Sequence, residues 1–94
     1  MTARTRAEVR NFLLEQLSEQ LEAQGRTIGP EYVSDDRDLL LSGLIDSLGL
    51  LELAAALSEF CGFELDFDKL DPEEITIVGP LCDFVAQQAA ARSG

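Results

Sequence analysis

Residues 43–53 read Gly43-Leu44-Ile45-Asp46-Ser47-Leu48-Gly49-Leu50-Leu51-Glu52-Leu53, an apolar loop running through an Asp-Ser pair into a leucine-rich segment. Asp46 suits a helix N-cap, because a short side-chain acceptor there satisfies backbone donors that the first turn leaves free. Ser47 then stands at the open end of the helix. Its hydroxyl lies beside a positive terminus, where an incoming phosphate is electrostatically favoured. Leu48, Leu51 and Leu53 follow at once, so this is not a serine in an ordinary polar loop.

Upstream, Thr5-Arg6-Ala7-Glu8 has the spacing of a capping box, and Val9, Phe12, Leu13, Leu17 and Leu21 recur at three- and four-residue steps. A first amphipathic helix ending near Gly25 is expected. The connection from Gly25 to Ile45 is long, holds Gly29-Pro30 and a charged run at residues 34–38, and needs apolar ties. Leu39, Leu40, Leu41, Leu44 and Ile45 are the candidates. The second helix should run from Ser47 to about Phe60 and stop at Gly62, with Leu48, Leu51, Ala55 and Leu57 turned inward.

Downstream, Phe63, Leu65 and Phe67 alternate with Glu64, Asp66 and Asp68, but an isolated strand would have no partner, so the stretch is a connector. Asp71-Pro72-Glu73-Glu74 combines a cap, a first-turn Pro and acids facing the helix dipole. It predicts a short third helix. Thr76 is expected to cap the last helix, whose buried stripe is Val78, Leu81, Cys82, Val85 and Ala89, with Pro80 in the first turn, where its missing donor is harmless. The fold predicted is therefore all-α: a small four-helix bundle with three longer helices, one short third helix and a long loop between helices 1 and 2. One domain over residues 1–94 suits this length.

Hydrophobic content of 46% excludes a disordered chain, and the apolar runs fall far short of a membrane span. The first residues lack the apolar core of a secretory signal, so a cytoplasmic location is expected. The net charge of −11 is unevenly placed. Residues 1–30 hold four acids and four bases, whereas residues 31–83 hold 14 acids against Arg37 and Lys69, a balance of −12. This disfavours nucleic-acid binding; charge alone leaves partners with basic docking patches and a solvated surface that aids solubility as equal readings, and the presence of Ser47 within the acidic stretch turns the reading to docking.

Several chemistries fail on residue type or spacing. Cys61 and Cys82 sit on apolar faces and His is absent, so zinc is not expected and the cysteines read as small buried hydrophobes. A calcium loop begun at Asp66 would need oxygen, Gly and Glu where the chain has Leu70, Asp71 and Ile77. No His is available to activate Ser47 as a hydrolytic nucleophile, and no Gly-x-Ser-x-Gly elbow surrounds it. Enzyme activity is not expected.

At residues 46–48 the chain resembles the acyl and peptidyl carrier proteins, whose signature is Asp-Ser-Leu opening the second helix with a Glu five residues after the Ser, here Glu52. The likeness extends to Asp38-Leu39, to Phe63-Glu64-Leu65 and to Ile75-Thr76-Ile77-Val78-Gly79. The resemblance implies that Ser47 is the attachment point of 4′-phosphopantetheine, taken from coenzyme A by a phosphopantetheinyl transferase with magnesium. It also implies docking of that transferase, and of acyl-loading, acyl-transfer or condensing enzymes, on Asp46, Leu48, Leu50, Glu52 and Glu59, with Ile75 on the short third helix.

Asp directly before Ser resembles the acyl carriers rather than the Gly-Gly-x-Ser pattern of peptidyl carriers. The few acids on the second helix and the Gly49-Leu50 pair resemble free-standing carriers of polyketide or related natural-product assembly. A D-alanyl-like aminoacyl or peptidyl carrier, and a helical interaction module that never receives an arm, are the alternatives. A monomer without membrane or nucleic-acid partners is expected.

Overall fold

The computed structural model describes residues 5–27 and 33–93, which hold three α-helices and no β-strand. Gly29 and Pro30 of the long connection lie outside the described residues. The first helix, α1 (Arg6–Ala23), opens with the expected capping box: the Thr5 hydroxyl accepts the Glu8 N–H while the Glu8 carboxylate accepts the Thr5 N–H. Val9, Leu13, Leu17 and Leu21 are fully buried, with Phe12 partly buried beside them and stacked on Phe60. Four-residue spacing sets these side chains one above the other on one helix face. That single stripe serves both partners of α1, the helices α2 (Ser47–Cys61) and α3 (Val78–Ser93).

The buried face of α2 differs from the one expected. Gly49, Leu53 and Leu57 face the core, whereas Leu48 and Leu51 are 64% and 67% exposed and Ala55 is exposed. Leucine occurs on every side of this helix, so apolar periodicity leaves its rotation open. The bare backbone at Gly49 decides it, because α1 can approach there closely enough for Gln20 Nε2 to donate to the Gly49 carbonyl at 3.0 Å. Leu57 faces inward as expected. The helix ends at Gly62, whose φ of +83° lets its N–H return to the carbonyls of Ser58 and Glu59.

The short third helix is not formed. Asp71, Pro72, Glu73 and Glu74 make turns, closed by bonds from the Glu74 and Ile75 N–H groups to the Asp71 carbonyl, and the nearest helical element is a 3₁₀ turn at Phe67–Lys69. The physical reason lies in the residues that follow. The Thr76 carbonyl accepts the Leu39 N–H at 2.7 Å, the Val78 N–H donates to Arg37 O, and the Gly79 N–H donates to Asp35 O at 2.7 Å. Backbone groups that would have continued a helix are thus spent on the loop, in an isolated antiparallel bridge between Asp38 and Ile77. Thr76 is not the cap of α3 either; it precedes the helix by two residues and its hydroxyl bonds to Asp38.

The loop before α2 is tied down by Leu39, Leu44 and Ile45 as expected, and by Val33, which carried no periodic signal. Leu41 is the exception, at 88% exposed. In α3 the stripe Val78, Leu81, Cys82, Val85 and Ala89 is buried, joined by Phe84, which meets Phe67. Burial pushes the Cys82 thiol up to about 11, so it behaves as the small hydrophobe its position suggests. No helix among the described residues is long and apolar enough to cross a membrane.

Candidate functional site

The Asp46-Ser47 corner joins a buried loop end to an exposed helix start. Leu44 and Ile45 are anchored in the core, and the Ile45 N–H donates to Leu39 O. Asp46 follows in extended conformation and caps α2, its Oδ1 accepting the Gly49 N–H at 2.8 Å. Ser47 is therefore the first helical residue, exposed, and directly follows the capping Asp46. Its hydroxyl emerges at the positive end of a 15-residue helix with no acid of its own in the first turn.

Beside Ser47 lies an open depression of about 470 Å³, bordered by Asp46, Leu40, Leu44, Ile45 and, from the end of α1, Arg26. Neither Arg26 nor its neighbour Gln24 follows from apolar periodicity, since both lie past the last helical residue of α1. Arg26 reaches the corner because the chain turns at Gly25, with φ of +74°, and its Nη1 donates to the Gly43 carbonyl at 3.4 Å.

Of the other residues singled out from sequence, Leu48, Glu52 and Glu59 are exposed on α2, on the same outward edge as Leu51 and Ala55. The edge is a mixed strip of leucine and carboxylate that begins one residue after Ser47. Leu50 is half-buried against the core, and Ile75 is half-buried in the turn ahead of α3. Among the described residues no group of three His, Cys, Asp or Glu side chains could hold a metal ion.

A second polar cluster ties the loop to both other helices. Arg6 pairs with Asp83 and, at 2.9 Å, with Asp35, while Arg10 pairs with Asp35 and donates to Val33 O at 2.6 Å. The Arg6 guanidinium, helped by Arg10, holds the Asp35 carboxyl below its ordinary range. The cluster fixes the middle of the long connection at Val33 and Asp35 and offers no nucleophile.

Compared with family models, curated proteins and solved structures, the chain matches none.

Proposed function

We propose that the chain is a discrete acyl carrier protein, modified on Ser47 by a 4′-phosphopantetheine arm and serving polyketide or related natural-product assembly. The observation that carries the reading is the exposed serine at the first position of α2, preceded by a capping aspartate and followed by an outward strip of Leu48, Leu51, Glu52 and Glu59. A serine so placed can be reached by a partner's active site without unfolding its surroundings. These residues fit the arm: Ser47 is exposed, and the depression it borders has room for a flexible chain.

In the attachment step the Ser47 oxygen would attack the coenzyme A phosphorus that bears the pantetheine, the P–O bond within the pyrophosphate bridge would break with release of adenosine 3′,5′-bisphosphate, and a base of the transferase would take the hydroxyl proton. Once attached, the arm supplies a terminal thiol that carries an acyl group as a thioester. The chain presents and delivers the cargo and performs no chemistry on it. The turn at residues 71–77 stands where a short third helix was expected, so Ile75 would contribute from a turn.

Exposure of the protein to a phosphopantetheinyl transferase, magnesium and coenzyme A, followed by intact mass measurement, tests the reading. One arm is expected on the wild type and none on Ser47→Ala. An unmodified wild type would favour the interaction-module alternative, with Ser47 a capping-turn hydroxyl.

A further inference from the structure

We propose that the depression between the end of α1 and the Asp46-Ser47 corner is the seat of the arm's phosphate, with Arg26 as its counter-ion; the inference rests on the carrier reading. A phosphodiester on Ser47 places a new negative charge beside Asp46, in a segment whose balance is already −12 over residues 31–83. Arg26 is the cation bordering the same depression. Its planar guanidinium suits phosphate oxygens, which it can bind through two parallel donors.

The present bond of Arg26 is easily exchanged. At 3.4 Å to the Gly43 carbonyl it is long for an N–H···O bond, and the side chain is exposed. Among the described residues, Arg6 and Arg10 are committed to Asp35, Asp83 and Val33, and Lys69 lies 4.0 Å from Asp66. The floor of the depression is firm because Leu44 and Ile45 are core residues. Arg26 therefore needs to move only its own side chain, from the Gly43 carbonyl to the phosphate, while Asp46 keeps its carboxylate on the Gly49 N–H.

The test uses full-length ¹⁵N-labelled wild type, Arg26→Gln and Arg26→Lys, each treated with transferase, magnesium and coenzyme A. The Arg26 Nε–H resonance and the Gly43 amide should both shift in the wild type on loading, and the ³¹P signal of the loaded Arg26→Gln protein should differ from wild type, with Lys restoring part of the change. Loading at low salt should slow by about two- to five-fold in Arg26→Gln, the range that an exposed ion pair supplies. A wild type that takes no arm overturns the carrier reading and this inference together. A wild type that loads with unmoved Arg26 signals overturns this inference alone, even where Arg26→Gln loads slowly, since Arg26 would then act only in transferase docking.

Discussion

The Thr76 hydroxyl donates to Asp38 Oδ2 at 2.9 Å, joining the start of α3 to the loop that presents Ser47. The other oxygen of the same carboxylate accepts the N–H groups of Leu40 and Leu41, both at 3.0 Å, and the Asp38 carbonyl accepts the Ser42 N–H. Asp38 is thus the hub on which residues 38–42 fold. From there the Ile45 N–H bond to Leu39 O carries the chain to the Asp46 cap.

The hub makes stability acid-sensitive. The Leu41 N–H, with the Thr76 hydroxyl and the Leu40 N–H, holds the Asp38 carboxyl below its ordinary range, as Arg6 does for Asp35. A carboxylate depressed in the folded state stabilises the fold above its unfolded pKa of about 3.9, and that contribution is lost as pH falls through the lower folded value. Urea midpoints should therefore drop below about pH 4. Thr76→Val should cost about 1 kcal/mol at pH 7 and make the acid loss shallower, because the hydroxyl no longer favours the ionised form. An acid profile identical to wild type would remove Thr76 from the hub.

The rotation of α2 separates its leucines into two classes. Leu53 is fully buried, so Leu53→Ala should cost about 2–5 kcal/mol, whereas Leu48→Ala and Leu51→Ala should stay within about 0.5 kcal/mol. Chemical denaturation of the three variants distinguishes them. Equal losses would mean that the helix is rotated from the position described.

Those leucines also show where sequence reading ends. The stripe of α1 was readable because its apolar residues keep one four-residue step, and the Asp46 cap because few residue types serve there. The inward face of α2 was not, since Leu48, Leu50, Leu51, Leu53 and Leu57 satisfy more than one rotation and the choice is made by Gln20 on another helix. The segment at residues 71–74 carried every local helix signal. It was overruled by backbone bonds from Leu39, Val78 and Gly79 to partners distant in sequence, which local propensity does not report. Arg26 could have been noticed only as an isolated cation just past a helix-ending Gly25.

Two close approaches of glycine give opposite expectations. At Gly79 an added Cβ would meet the Asp35 backbone oxygen at 2.9 Å, and that oxygen is held by the Gly79 N–H itself, so Gly79→Ala should destabilise by about 1–3 kcal/mol. At Gly49 the nearest atom is Gln20 Oε1 at 2.6 Å, the tip of a flexible side chain, with Ile45 Cβ at 3.2 Å behind it. Alanine also gains up to about 1 kcal/mol in helix propensity over glycine. Gly49→Ala should therefore cost less than Gly79→Ala, and adding Gln20→Ala should recover part of its loss in thermal melts. A Gly49→Ala loss unaffected by Gln20→Ala would assign the restriction to the wall formed by Ile45 Cβ and, at 3.3 Å, the capping Asp46 Oδ1.

The outward strip of α2 predicts how a partner is recognised under the carrier reading. Glu52 and Glu59 are exposed on the edge that begins at Leu48, so a basic partner would be steered by charge and seated on leucine. Glu52→Lys and Glu59→Lys should each slow arm attachment at subsaturating carrier by up to about five-fold at low salt, and the double variant more. Above about 0.1 M salt, where the screening length is about 10 Å, the differences should shrink. Leu48→Ala and Leu51→Ala should instead slow attachment at every salt concentration, because apolar contact is not screened. If the charge reversals leave rate and salt dependence unchanged while the leucine variants are slow, the strip works through its apolar half, and the acids of α2 serve solubility alone.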